Sequence, residues 1–115
     1  MKIKTGELLG AALDWAVAKC EGHTINLLDV KGQRFMRLHR YSTDWSQGGP
    51  IIEREQISIE YGRAEFITDW IAYKLYPPFE DNPEGGPTPL IAAMRCYVAS
   101  KLGDEVEIQN ELLEN

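Results

Sequence analysis

The stretch TPLIAAMRCYVASKLG, Thr88 to Gly103, decides the fold. Thr88 is a residue type that caps helix N-termini through its hydroxyl. Pro89 stands at the first helical position, where its missing N–H is not needed. Leu90, Ile91, Met94, Val98 and Leu102 then recur at helical spacing, and Gly103 supplies the stop. The spacing predicts a helix over 89–102 with an apolar stripe that needs a partner surface.

Moving outward, the other end of the chain offers a second helix. Thr5 reads as the cap of a helix from Gly6 to Glu21, closed by Gly22. Leu8, Ala12, Trp15 and Lys19 form one row, and Leu9, Leu13, Ala16 and Cys20 the next. Between the two helices the chain reads as strands. Ile25–Val30 and Arg34–Arg40 are joined by Lys31-Gly32-Gln33, a hairpin-length link. Neither face of Arg34–Arg40 is cleanly apolar, which suits an edge strand. Gly48-Gly49-Pro50 interrupts, and Pro50 opens a short helix over Ile51–Gln56. Ile57–Tyr61 alternates with period two. Glu65–Leu75 reads as a further strand or a short helix. Tyr76–Pro87 reads as a loop, and the acidic tail from Asp104 holds a brief strand at Val106–Ile108. The expected architecture is α+β: two long helices, Gly6–Glu21 and Pro89–Leu102, on a small, mainly antiparallel sheet.

The chain has 115 residues, which fits one domain spanning 1–115. Hydrophobic residues make up 43% and charged residues 26%, so a disordered chain is excluded. Two cysteines are too few for a disulfide scaffold. No apolar run approaches the ~18 residues of a membrane span, and no secretory signal is evident. A cytoplasmic protein with no membrane role is the expectation. The net charge is −6, distributed as +3 over residues 1–40 and −9 over 41–115. Acidic chains gain little from phosphate contacts, which argues against non-specific nucleic-acid binding.

Two segments concentrate groups able to bind a ligand. Tyr41-Ser42-Thr43-Asp44-Trp45 precedes the pair Gly48-Gly49. Aromatic plates, hydroxyls and glycine-freed backbone N–H groups suit a nucleotide-like ligand; the same residues also suit a capped turn. Gly85-Gly86-Pro87-Thr88 leads into a helix N-terminus, where an anion gains from the dipole and Arg95 would add charge. The proposed recognition surface joins these two segments, with Tyr41, Ser42, Thr43, Asp44, Trp45, Gly48, Gly49, Thr88 and Arg95 as its residues.

Catalysis has little support. His23 and His39 are the only histidines, and no Cys-x-x-Cys or His-Glu-x-x-His spacing marks a metal site. No cofactor motif is present. Ser42 or Ser46 with His39 and Asp44 would be a triad of sequence neighbours, which seldom has triad geometry. Cys20 and Cys96, on apolar helical stretches, read as buried thiols.

Three blocks resemble a known family. Tyr41–Glu55, Gly86–Asp104 and the Asp14-Trp15-Ala16-Val17-Ala18 run within Leu9–Lys19 are similar to the NinX-type family of small tailed-phage proteins. The resemblance covers most of the chain and is weakest across Gly22–Arg40 and Tyr61–Pro83. A wider group of phage domains with an α-β-α sandwich is also similar. The resemblance implies phage or prophage origin, location in the bacterial cytoplasm and an accessory role. It carries no catalytic residues. Sequence and resemblance together point to a binding protein without catalysis, engaging a host or phage protein or sequestering a nucleotide-like signal. A small nucleotide-acting enzyme is the alternative. A homo-oligomer paired through an edge such as Arg34–Arg40 is a further expectation.

Overall fold

A computed structural model describes residues 1–23, 37–62, 69–74 and 83–113. Among them are five short strands and three helices: β1 Lys2–Lys4, α1 Gly10–Cys20, α2 Trp45–Glu55, β2 Ile57–Tyr61, β3 Trp70–Lys74, β4 Glu84–Gly86, α3 Pro89–Leu102 and β5 Glu105–Glu107. Single 3-10 turns occupy Thr5–Glu7 and Asn110–Leu112. The fold is single-domain α+β, and the described strands form two small antiparallel sheets, β1-β5 and β2-β3-β4.

Helix α3 is the hub. Thr88 Oγ1 accepts the Ile91 N–H at 3.1 Å, Pro89 follows, and Gly103 ends the helix at φ +89°. Every residue from Leu90 to Ala99 is buried, so the helix is covered on all sides rather than along one stripe. The three-stranded sheet, α1 and α2 all pack on it. The fit is closest at β4, where a Cβ on Gly86 would lie 2.7 Å from the Ala92 nitrogen. That contact explains the second glycine of a Gly-Gly pair that reads as loop: only bare backbone fits against α3 at Gly86.

Helix α1 is shorter than its sequence suggests. Gly10 has φ +58°, which no helix continues through in the N-terminal direction. Thr5 caps nothing; its hydroxyl donates to Gly103 O at 2.6 Å and its N–H to Asp104 O at 2.8 Å. The residue read as a helix start thus joins the N-terminal segment to the far end of α3. At the other end, Gly22 (φ +85°) closes α1 as expected. Its N–H reaches Lys19 O, and the His23 N–H reaches Ala18 O at 3.0 Å, a Schellman ending.

Helix α2 starts at Trp45, before the expected Ile51. Asp44 caps it, accepting the Ser46 N–H at 2.9 Å, and Pro50 sits inside the helix. The expected strand Arg34–Arg40 is corrected at Arg37 and Leu38, which are helical; its earlier part, Ile25–Val30 and the Lys31–Gln33 hairpin lie outside the described residues. Within Glu65–Leu75 the described part is the strand β3, in register with β2 from Ile57↔Lys74 to Tyr61↔Trp70. The tail strand lies one residue early and pairs with β1, which was not anticipated. Among the described residues, three helices and two small sheets therefore replace the expected two long helices and one short helix on a single sheet.

Candidate functional site

The block Tyr41–Pro50 is held from beneath by a buried carboxylate. Asp14, 7% exposed on α1, accepts the Ser42 N–H at 2.8 Å. Burial pushes the Asp14 carboxyl above its usual range, and bonding to Ser42 pulls it partway back. The turn itself is closed by Thr43 and Asp44 N–H groups donating to Arg40 O, at 3.2 and 2.8 Å. Gln47 Oε1 accepts the Arg40 N–H at 2.8 Å, so the turn and α2 share a bond.

Most of the polar groups that looked ligand-facing are used internally. Asp44 Oδ1 takes both the N–H and hydroxyl of Ser46, and those bonds hold its carboxyl below the ordinary range. Tyr41 is buried, and its ring stacks on His39 at 5.8 Å between centroids. Gly48 is buried too; a Cβ there would stand 2.5 Å from both Leu90 Cδ1 and Tyr41 O. It is the contact point of α2 with α3, not a platform for a ligand. Gly49 is open by comparison, its nearest neighbour being the Trp45 ring at 3.9 Å.

Trp45 does not turn inward. It is the first residue of α2 and is 53% exposed. Beside it runs a groove of about 220 Å³ lined by Ser42, Thr43, Trp45, Thr88, Leu90 and Ile91. The structure therefore brings the Tyr41–Pro50 block and the Thr88 junction together. Leu90 and Ile91 supply the groove floor and were not singled out as site residues; their early place on an apolar helix reads as core.

Arg95 does not join them. It is 9% exposed, with Nε donating to Leu8 O at 2.8 Å and Nη1 to Gly85 O at 2.9 Å. Burial lowers its basicity while Glu84, Asp69 and Glu7 oppose that. Its work is to tie two main-chain carbonyls, one before α1 and one in β4, to α3. A larger open cleft of about 510 Å³ is lined by Lys4, Gly6, Glu7, Pro83, Glu84, Asp104 and Glu105, an acidic surface without an aromatic side chain.

A polar cluster ties the helices at the other end of α1. Arg54 donates through two nitrogens to Glu21, at 3.0 and 2.7 Å, and Tyr97 OH also donates to Glu21. Arg54 and Lys74 engage Glu55 at 3.0 and 3.2 Å. The Arg54 bond holds Glu21 below the usual carboxylate range; burial pushes Glu55 up, but Arg54 and Lys74 outweigh it. Cys96 is buried and Cys20 half-buried, and they share no disulfide. Burial pushes the Cys20 thiol up to about 11, so it is protonated and unreactive near neutrality. His23 and His39 meet with ring centroids 5.2 Å apart. Among the described residues no group of three or more His, Cys, Asp or Glu side chains converges as a metal site.

Fold and site together define a small α+β domain whose α2–α3 junction carries a shallow groove and an exposed tryptophan. The chain belongs to the phage protein family described as Bacteriophage P22, NinX, whose profile matches residues 4–101. That makes it a phage accessory protein. A comparison with curated proteins finds no match. Among the described residues no helix is long and apolar enough to cross a membrane.

Proposed function

We propose that this phage protein acts by binding another protein, of the host or the phage, at the Trp45 groove, without chemistry of its own. The observation that carries the reading is Trp45, half-exposed at the rim of a groove floored by Leu90 and Ile91. Exposed tryptophans over shallow apolar depressions are the typical anchors of protein interfaces. A nucleotide-like ligand fits less well. The groove of about 220 Å³ falls short of the ~300–1,000 Å³ of small-molecule pockets. Among the described residues no Lys or Arg lines it, and Arg95 is committed to Leu8 and Gly85. With Asp44 spent on its cap, the anchoring passes to Trp45, with Thr43 and Thr88 hydroxyls at the polar rim.

The test is a comparison of baits in a bacterial lysate: wild type, Trp45→Ala and the distant control Glu111→Gln. The expected result is a protein retained by wild type and control and reduced at least tenfold by Trp45→Ala, with unchanged helical circular dichroism. A parallel panel of nucleotides should show neither retention nor conversion. Equal retention by Trp45→Ala, or a nucleotide retained by the wild type, contradicts the reading.

A further inference from the structure

The first residues of both α2 and α3 line the Trp45 groove, but only α2 starts with a charge of its own. Its cap is Asp44, a carboxylate that takes the Ser46 N–H and hydroxyl and lies 3.7 Å from Arg40. The cap of α3 is the neutral Thr88, and no acidic residue stands in its first turn. The start of α3 therefore keeps the partial positive charge of a helix N-terminus. Its donors can be followed one by one. Pro89 has none, the Ile91 N–H goes to Thr88 Oγ1, and the Ala92 N–H goes to Thr88 O at 3.0 Å. The Leu90 N–H is left, because a helix offers no internal acceptor at that position.

A second donor stands in the same groove for a different reason. Ser42 is 2% exposed, and among the described residues its hydroxyl has no hydrogen-bond partner. Asp14 accepts the Ser42 N–H; the hydroxyl lies near enough to help lower the Asp14 carboxyl but makes no hydrogen bond to it. Buried hydroxyls are almost always paired. One that lines a groove unpaired is a donor available to an occupant.

We propose that the groove takes the C-terminal carboxylate of the partner protein, carried on a last residue with an apolar side chain. This rests on the reading of the groove as a protein-binding site and names what it recognises. A carboxylate is the charge complement of an uncompensated helix start. Its oxygens accept from the Leu90 N–H and from the Ser42 and Thr88 hydroxyls; Thr88 accepts from Ile91 and still has its proton to give. The volume selects the source. About 220 Å³, at ~30 Å³ per water-sized group, holds roughly one residue. The carboxylate and the side chain that covers Leu90 and Ile91 must then belong to the same residue. The last residue of a chain meets that condition, and an internal Asp or Glu does not.

Three acetylated tripeptides are titrated into the isotope-labelled full chain and followed by nuclear magnetic resonance. They are Ala-Ala-Leu with a free carboxylate, the same peptide as its C-terminal amide, and Ala-Glu-Ala amide. The free acid should move the Leu90 N–H downfield and shift the Trp45 indole N–H. Both amides should bind roughly tenfold more weakly, about the worth of one hydrogen bond to a charged group. Ser42→Ala should weaken binding of the free acid and leave the Leu amide unchanged. Trp45→Ala should weaken every peptide alike, and both variants should keep their helical circular dichroism. The comparison of acid with amide in the wild type decides the matter even if a variant fails to fold. Equal binding of acid and amide, tighter binding of the Glu peptide, no response to the free acid, or a Ser42→Ala chain that keeps the full preference for the acid overturns the proposal. The groove reading fails separately, through equal capture of a lysate protein by wild type and Trp45→Ala.

Discussion

The N-termini of α2 and α3 lie side by side and are built from the same kinds of residue, yet they do opposite things with them. At α3, Thr88 caps, Pro89 follows, and the residues behind them disappear into the core. At α2, Asp44 caps, but Trp45 stays out and Gly48 makes the buried contact. A cap tells where a helix begins. It does not tell which of its first residues faces a neighbour and which faces a partner. In the Tyr41–Pro50 block that division separates Gly48, which makes the packing, from Trp45, which stays exposed.

The largest test of this contrast is at the glycine pair. Gly48→Ala places a methyl against Leu90 and a carbonyl, and should cost about 2–3 kcal/mol in a denaturant titration. Gly49→Ala meets only the Trp45 ring and should raise stability by about 0.5–1 kcal/mol through helix propensity. Equal effects at the two positions would erase the distinction between packing and open residues. Next in size is Asp14→Ala, which leaves the buried Ser42 N–H without its acceptor and should cost about 2 kcal/mol. Asp14→Asn keeps an acceptor and should cost clearly less.

Acid titration separates the supports of the two regions. Glu21 and Glu55 have folded pKa values below their ordinary 4.5, so their contribution is present above that pH and is lost as pH falls through the folded values. Asp14 has the opposite sign: its folded pKa is above 3.8, so its charged form weakens the fold as pH rises through the folded value. Glu21→Gln should therefore flatten the acid limb of a stability–pH curve, and Asp14→Asn should steepen its fall toward low pH. Smallest is the cap itself. Thr88→Ala should cost about 1 kcal/mol, and Asp44→Ala, at an exposed cap, should lower Tm by less.

What the sequence showed depended on whether the deciding contacts were local. Helix α3 was legible to the residue, because Thr88, Pro89 and Gly103 act on their own neighbours. Thr5 was misread because its hydrogen bond goes to Gly103, at the other end of the chain. Gly10 looked like an ordinary small residue, and only its positive φ shows why α1 starts there. The strand Glu84–Gly86 was hidden because glycine is chosen there for a fit against Ala92, which no pattern encodes. At the candidate site, the meeting of Ser42, Thr43 and Trp45 with Thr88 was anticipated. Arg95 was misassigned because the carbonyls it serves, Leu8 and Gly85, come together only in the fold. An arginine within the otherwise apolar run Leu90–Ala99 is itself the available sign of an internal role. Asp14 carries the same sign on α1, a carboxylate within the apolar rows of a helix.

The groove is tested most directly by Trp45 as sole reporter. In a variant with Trp15→Phe and Trp70→Phe, tryptophan emission comes from Trp45 alone. The expected emission is that of a water-exposed indole, readily quenched by acrylamide. Adding the purified protein captured by the wild type should shift that emission to shorter wavelength and protect it from quenching. Emission that is already shielded in the free protein, or quenching unchanged in the complex, would contradict the assignment of Trp45 as the anchor.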